Sequence, residues 1–473
     1  MPAENNRAQL FETTPIPRAV MTLAIPTILS SLVMVLYHLA DTYFVGMLDD
    51  PIQNAALTLS GPVLLAFNAV NNLFGVGSSS MMSRALGVKD YDTVYRSSAF
   101  GFYGSLLFAA AFSLFYTLFR LPLLEMLGTD ETTLAATGDY LLWTVTFGVV
   151  PAILNVVLAY LVRSEGAALH ASIGTMSGCF LNILLDPVFI LPWGLNLGAA
   201  GAGLATFLSN CAACLYFFVL LFARRGKTYV CVKPSMFGFR RAIVLGVFGV
   251  GIPASIQNLL NVTGKTVLNN FTSVYGSDAV AAMGIASTIC MVPVQIFFGM
   301  SQGIMPLVSY NYASGNIKRM KGTVTFTVKL AAVFMAATTL GLYFGSRELT
   351  LLFIQTPAVV DYGTAFLRAL CLSQPFLCMD FLAVGVFQAC GMGKKSLLFA
   401  VLRKIVLEIP ALFVLDKLFP LYGLPYSQLA AELILCTVAV LILVRLFQRL
   451  EAKKLPQEFF AEGLSKHPKD SSD

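Results

Sequence analysis

The sequence predicts an all-α polytopic membrane protein with twelve transmembrane helices in two six-helix halves. Of the 473 residues, 57% are hydrophobic and only 12% are charged, whereas soluble domains carry about 25% charged residues. Each of twelve apolar stretches is long enough, at about 20 residues, to cross the hydrocarbon core. These stretches lie near 19–46, 53–80, 94–119, 138–163, 171–192, 199–222, 243–275, 279–309, 322–344, 361–390, 396–418 and 424–447.

The loops between these stretches differ in charge from one side to the other. The segment 223–242 and the loops on its side are rich in Lys and Arg, whereas the opposite loops are acidic or neutral, as around Asp130. Because basic loops remain on the cytoplasmic side, both termini are expected in the cytoplasm. We therefore divide the chain into a first lobe, a cytoplasmic linker, a second lobe and a cytoplasmic tail, at 1–222, 223–242, 243–450 and 451–473.

The two halves repeat each other along the chain. Ala24-Ile25-Pro26 in the first stretch corresponds to Gly251-Ile252-Pro253 in the seventh, and Pro151 corresponds to Pro375. Because six spans separate corresponding positions, the repeats have the same orientation in the membrane. Two such bundles with a binding site between them, near the midplane, are typical of secondary transporters.

The fifth apolar stretch contains a carboxylate and an amide on one face. Asn182 and Asp186 are four residues apart and share a helical face, and Pro187 interrupts the hydrogen-bond ladder directly after them. A carboxylate at the bilayer centre costs about 2.5–3.5 kcal/mol on insertion scales, so such a residue is by default a candidate for an ion or proton path. An Asp that caps a broken helix or pairs with a buried Lys remains the structural alternative.

Other spans carry polar groups that are candidates for the same region. Tyr37 and Asp41 share a face of the first span, Asn155 follows Pro151 by one turn, and Thr206 lies in a run of small residues in the sixth span. In the second half, Lys265 and Asp380 are expected to pair if they face each other. A further polar cluster is predicted from Arg403, Lys404, Glu408 and Glu432.

Five sequence motifs, spread through the first half of the chain, together resemble those of the multidrug and toxic compound extrusion (MATE) family, and the resemblance covers nearly the whole chain. They are Asp41-Thr42-Tyr43-Phe44-Val45-Gly46, Ser83-Arg84-Ala85-Leu86-Gly87, Arg163-Ser164-Glu165-Gly166, Asn182 to Ile190 and Gly198 to Thr206. The resemblance implies two lobes arranged as a V around a central cavity, working by alternating access. Within the family, the chain is similar to the DNA-damage-inducible-protein-F branch.

That resemblance implies a cation-coupling site in the first lobe, formed by Asp41, Asn182, Asp186 and Thr206, with Tyr37 beside them. Two carboxylates in a low dielectric do not both ionise cheaply, so the pair is suited to exchange a proton. The same oxygens are suited to sodium, a hard cation. Asp380 matches an acidic position of a second branch, whose glutamate in the seventh helix is replaced here by Asn261.

The expected function is the efflux of organic, mostly cationic compounds in exchange for protons or sodium ions, with no other cofactor. Substrates of this kind need an aromatic and Met-lined cavity with one counter-charge. The candidates for that lining are Tyr37, Asn155, Met176 and Asp380. We expect a monomer in the plasma (inner) membrane of a bacterium, in contact with the lipid bilayer and not with nucleic acid.

Two other functional classes would require different residues in the sequence. A polytopic enzyme would carry a catalytic cluster, but none of the three histidines, at 38, 170 and 467, has a catalytic neighbourhood in the sequence. A flippase for lipid-linked precursors, from the wider superfamily, would place Lys or Arg in the cavity to meet a pyrophosphate. Lys265, Arg403 and Lys404 keep this alternative open.

Overall fold

Twelve long helical segments form the protein in the computed structural model, which describes residues 9–48 and 50–452 and contains no β-strand in these ranges. Each of the twelve predicted spans overlaps one of them. We name them α1 (Ile16–Gly46), α2 (Pro51–Gly87), α3 (Tyr91–Leu118), α4 (Leu134–Phe147 with Val149–Ser164), α5 (Ala168–Ile190), α6 (Gly198–Ala223), α7 (Arg241–Ser273), α8 (Ser277–Ala313), α9 (Ile317–Phe344), α10 (Pro357–Ala389), α11 (Gly393–Val401, Leu402–Glu408 and Ile409–Leu418) and α12 (Tyr426–Ala452).

Three of the helices contain a wide π-helical turn, a feature that often marks functional sites. These turns are Asn71–Val76 in α2, Leu142–Phe147 in α4 and Leu402–Glu408 in α11. The helix α4 also bends by 51° where its π turn ends. A side chain at Gly148 would place its Cβ 2.4 Å from the carbonyl oxygen of Trp143, so glycine permits this bend three residues before Pro151.

Each lobe is held together by a chain of packed helices. In the first lobe α5 packs against α1 on one side and α6 on the other, and in the second lobe α10 packs against both α8 and α12. Small residues allow close contact: a Cβ on Gly178 of α5 would meet Ala213 and the Ser209 carbonyl of α6 at about 3.1–3.2 Å. The site residues on α1, α5 and α6 are therefore brought into one neighbourhood.

The two lobes contact each other on the side of the membrane where the 223–242 linker lies. There α8 packs against α1 and α2, and α7 packs against α2. Gly303 of α8 lies against the backbone of Leu23 and Ala24, and the Ser80 hydroxyl of α2 donates a 2.6 Å hydrogen bond to the Gln388 carbonyl of α10. These contacts close the linker side of the molecule.

A segment that precedes α1 adds to this closure. The Arg319 guanidinium of α9 donates hydrogen bonds to the carbonyls of Leu10, Phe11 and Thr14, at 3.2, 2.6 and 2.5 Å. The Phe11 ring stacks on Tyr310 of α8 with ring centroids 4.9 Å apart. Because the second lobe binds a segment of the first, the lobes cannot separate on this side without breaking these bonds.

We expect Gly303→Val to open the linker side. The new side chain would place an atom 2.8 Å from the Ala24 Cα and the Leu23 oxygen, which α8 and α1 can accommodate only by moving apart. The measurement is the labelling rate of a Ser80→Cys reporter, buried at the lobe contact, by a membrane-impermeant thiol reagent in inside-out vesicles. The rate should rise in Gly303→Val.

Gly284→Val is the matched control for this experiment, because it lies on the same helix and an added Cβ meets nothing within 4 Å. It should leave the labelling rate unchanged. Equal labelling of both variants would show that the α1–α8 contact does not control access from this side.

Candidate cation site and inter-lobe pocket

The polar side chains predicted for the first lobe are brought together by three helices. Tyr37 and Asp41 lie on α1, Asn182 and Asp186 on α5, and Thr206 on α6. Asn182 and Asp186 are buried, at 2% and 0% exposure, and Asp41 is partly exposed. The site therefore has a buried wall on α5 and a more open edge on α1.

The Asn182 amide links the two helices that form the buried wall. With its nitrogen facing the carboxylate, Nδ2 donates to Oδ2 of Asp186 over 2.8 Å, and its oxygen accepts from the Thr206 backbone N–H over 3.1 Å. We assign this orientation because the opposite one places the amide oxygen against the carboxylate. In that opposite orientation, Nδ2 would instead donate to the Thr206 hydroxyl over 3.3 Å.

Asp41 faces this wall from α1, and its charge acts on Asp186. Its Oδ1 atom is buried and receives no hydrogen bond from the residues that the structure describes. The Tyr37 hydroxyl lies close to the Thr206 hydroxyl, which brings α1 near α6. A buried carboxylate oxygen without a donor is costly, so this atom is a natural position for a bound cation or proton.

Tyr140 of α4 is a member of the site that the sequence did not indicate. It is only 5% exposed, and the charges of both Asp41 and Asp186 act on its hydroxyl group. A single tyrosine within an apolar span carries no periodic or motif signal, so only the fold places it here. The complete set offers carboxylate, amide and hydroxyl oxygens, the ligands that suit a hard cation.

A second polar feature is a pocket between the lobes, a space of about 480 Å³ that includes the solvent at its mouth. Its described lining has no charged residue but six amide side chains, together with Phe298 and Phe381. The lining residues come from α2, α7, α8 and α10; they are Asn72, Val76, Ala254, Gln257, Asn258, Asn261, Phe298, Ser301, Gln302, Phe381, Val384, Gly385 and Gln388.

The predicted lining of the substrate cavity is placed differently by the structure. Asn155 is buried and its Nδ2 donates to Asn210 Oδ1 over 2.8 Å, so it serves to pack α4 against α6. Asp380 is also buried, at 1% exposure, behind the pocket residue Phe381. Met176 and Tyr37 are partly exposed on α5 and α1, and their role as lining stays a prediction.

The predicted pair of Lys265 and Asp380 is wrong. Lys265 is exposed, and Asp380 instead forms a 2.9 Å ion pair with Arg403 of α11. The reason is geometric, because Arg403 occupies the π turn of α11 and thereby enters the interior between α10 and α12. The predicted cluster on α11 and α12 exists, and it includes Asp380 as an additional member.

The chain is similar in sequence to known proteins along nearly its whole length. The family model described as MatE matches residues 26–188 and 253–414, one stretch in each half. The chain is 35% identical to the multidrug export protein MepA of Staphylococcus haemolyticus (strain JCSC1435) over 94% of this chain and 97% of that protein. It is 33% identical to MepA of Staphylococcus aureus (strain MRSA252), over 93% and 96%.

Solved structures agree with the fold. A structure described as the outward-facing conformation of a multidrug resistance MATE family transporter of the MOP superfamily superposes with a TM-score of 0.86 at 24% identity, over 94% of this chain and 99% of that one. A MATE crystal structure in the straight conformation gives a TM-score of 0.88 over the same shares, again at 24% identity. The chain folds as two six-helix lobes and belongs to the MATE family of membrane transporters.

Proposed function

We propose that this protein is a multidrug efflux transporter, which exports organic, mostly cationic compounds in exchange for protons or sodium ions. One observation carries the proposal: within an oxygen-rich site on α1, α5 and α6, a buried Asp41 oxygen has no donor among the described residues, and the Asp41 charge acts on Asp186. The relatives named as multidrug export proteins, which match nearly the full length of the chain, support the substrate class.

The coupling step follows from the chemistry of the carboxylate pair. When Asp41 and Asp186 are both ionised, they repel each other in a site with little water, and a proton or a sodium ion relieves this repulsion. Asn182 holds Asp186 in place, while Tyr37 and Thr206 supply hydroxyl oxygens at the edge of the site. Binding of the cation thus stabilises one arrangement of α1 against α5.

Alternating access is supported by the side on which the lobes are closed. The linker side is cytoplasmic by the charge rule, so the contacts of Gly303 and Ser80 close the cytoplasmic face. Asp41 and Asp186 both lie near the C-terminal ends of their helices, at Gly46 and Ile190. These ends point away from the linker side, so a cation can reach them from outside. Export then requires the lobes to separate at the cytoplasmic contacts and rejoin at the external ones.

The inter-lobe pocket is the proposed binding region for the exported compound. The rings of Phe298 and Phe381 offer aromatic faces to a lipophilic cation, and the surrounding amides supply donors and acceptors. Because the coupling site is formed by other residues, drug and cation can bind in different places. Competition between them then acts through the conformation of the lobes, as linkage between two sites requires.

Two of the three cations that kept the flippase alternative open are paired with carboxylates. Arg403 and Lys404 are buried in ion pairs with carboxylates, at 2.9 Å to Asp380 and 2.6 Å to Glu408. The described lining of the pocket includes neither Lys265 nor any other cationic residue. A pyrophosphate would therefore find no free positive charge in that pocket.

The proposed function is tested by expression in a bacterium that lacks its own multidrug pumps. Cells with this protein should tolerate cationic dyes better than cells with the empty vector, and energised cells should export a preloaded fluorescent dye. Equal tolerance and equal dye retention, with the protein present in the membrane, would contradict the proposal.

Topology provides a separate prediction for the proposed inner-membrane location. Epitope tags in the Asp130 loop should be accessible from outside the cell, and tags in the 223–242 linker only after the membrane is opened, because the linker carries the positive charge. The measurement is antibody labelling of intact and permeabilised cells. Labelling of both tags from the same side would contradict the predicted orientation.

A further inference from the structure

The second lobe contains a cluster of five charged side chains, formed by Asp380 of α10, Arg403, Lys404 and Glu408 of α11, and Glu432 of α12. Each of them is at most 7% exposed. Lys404 Nζ lies 2.6 Å from both oxygens of Glu408, and Arg403 Nη1 donates to Asp380 Oδ2 over 2.9 Å. These two ion pairs account for four of the five groups.

Glu432, the fifth group, lies within ion-pair distance of Arg403 but receives no hydrogen bond from the described residues. It is 0% exposed, and neither of its carboxylate oxygens accepts a hydrogen bond from the described residues. The nearest cation is Arg403, whose Nε lies 3.6 Å from Glu432 Oε1 and itself has no hydrogen-bond partner among those residues. The Arg403 charge is already engaged with Asp380.

The charges within the cluster do not balance if every acid is ionised. Three carboxylates would face two cations, and one negative charge would remain buried without compensation, which is expensive in a medium of low dielectric. No group of three or more His, Cys, Asp or Glu within 9–48 and 50–452 is arranged to hold a metal ion. A proton is therefore the ligand that balances the cluster.

We propose that Glu432 is a proton-binding site in the second lobe, whose occupancy is communicated through Arg403 to the inter-lobe pocket. The proposal rests on the proposed function, because it gives the exporter a second coupling acid, distant from the carboxylate pair on α1 and α5. A proton from water binds one Glu432 carboxylate oxygen and neutralises the acid, and its release to water restores the carboxylate.

The connection to the pocket is direct. The Arg403 guanidinium donates to the Asn261 side-chain oxygen of α7 and lies over the Phe381 ring, 5.0 Å from its centroid. Asn261 and Phe381 are both pocket-lining residues. One arginine therefore contacts the proton-binding acid on one side and the wall of the pocket on the other.

Deprotonation of Glu432 changes the balance of forces on this arginine. An ionised Glu432 attracts Arg403, whose unpartnered Nε needs to move by less than 1 Å to reach hydrogen-bonding distance. That movement weakens the contacts of Arg403 with Asn261 and Phe381. A protonated Glu432 leaves Arg403 on Asp380 and the pocket wall, so the shape of the pocket depends on the proton.

Other titratable groups surround Glu432 and can influence its protonation. Asp380 and Cys378 face it from α10, and Arg403, Lys404 and Glu408 face it from α11. Cys436 lies one turn further along α12 itself. Of these groups, only Glu432 combines complete burial with two carboxylate oxygens that receive no hydrogen bond.

Infrared spectroscopy detects the proton without any transport assay. The measurement uses a purified variant with Asp41→Asn and Asp186→Asn, in which the carboxyl groups of the first-lobe site are absent. At neutral pH its spectrum should contain the C=O stretch of a protonated carboxylic acid, with the small shift expected in deuterium oxide. Glu432→Gln, which keeps the side-chain volume, should abolish that band, whereas Glu348→Gln, at an exposed acid, should leave it.

Two results would overturn the proposal independently of how Glu432→Gln folds. One is the absence of any protonated-acid band at neutral pH in the protein with native Glu432. The other is a band that persists unchanged in Glu432→Gln. Neither result depends on drug export, so a failure here is distinguishable from a failure of the proposed function.

Dye binding measures the connection to the pocket. In the purified protein that carries Asp41→Asn and Asp186→Asn, the dissociation constant of a fluorescent cationic dye should depend on pH. The change should be up to about tenfold per pH unit where one proton is exchanged. Glu432→Gln should remove this dependence, and Glu432→Asp should retain it. An unchanged pH profile in Glu432→Gln would show that the pocket does not respond to this acid.

Discussion

Replacing Asp41 or Asp186 by Asn should abolish gradient-driven dye efflux while the protein still reaches the membrane. Each change keeps the side-chain shape and removes the charge that a proton or sodium ion would balance. Membrane insertion should not suffer, because a neutral amide is less costly to bury than a carboxylate. The measurement is efflux of a preloaded dye from energised cells, normalised to the amount of protein in the membrane.

Three further variants separate the effect of the site carboxylates from the effect of substitution in general. Asp278→Asn removes an exposed carboxylate in the first turn of α8 and should export dye at the wild-type rate. Asn182→Ala and Thr206→Ala each remove one neutral group from several, so they should weaken efflux without abolishing it. Wild-type efflux by both Asp→Asn variants would contradict the assignment of the coupling site to the first lobe.

Arg403→Gln should be the most damaging single substitution for stability in the second lobe. It leaves Asp380 buried at 1% exposure without its 2.9 Å partner, and breaking a buried pair in this way costs about 3–5 kcal/mol. The measurement is the temperature at which the detergent-solubilised protein loses its monodisperse gel-filtration peak. That temperature should fall sharply, or the yield of folded protein should collapse.

A double variant that removes both charges of the ion pair is the decisive control. Asp380→Asn together with Arg403→Gln removes both charges and should recover much of the lost stability, as expected for two directly paired groups. Lys265→Gln should have little effect, because Lys265 is exposed. Stability that falls further in the double variant, or that falls with Lys265→Gln, would contradict the pairing seen in the structure.

Much of the fold was accessible from the sequence, because the membrane imposes simple rules. Apolar stretches of about 20 residues and repeated motifs such as Ala24-Ile25-Pro26 and Gly251-Ile252-Pro253 predict the spans and the two lobes. The position of the 51° bend in α4 could not be predicted from the sequence, since it depends on the space at Gly148 rather than on the nearby Pro151. The π turns likewise carry no recognisable sequence signal.

The candidate site shows the same division. Asn182 and Asp186 could be placed together because their spacing of four residues puts them on one face of a helix. Partners on other helices depend on rotation and tilt, which the sequence does not specify. That is why Lys265 was paired wrongly with Asp380, and why Tyr140 was missed although the charges of both carboxylates act on it.

Transport into inside-out proteoliposomes under imposed gradients tests the central claim most directly, because lipid, ion and compound are all defined. A proton or sodium gradient directed outward from the lumen should accelerate the accumulation of a cationic dye by the wild-type protein, and Asp41→Asn and Asp186→Asn should not respond to either gradient. Dye accumulation that is equally fast with and without both gradients, or variants that respond as the wild type does, would contradict cation-coupled export through the first-lobe site.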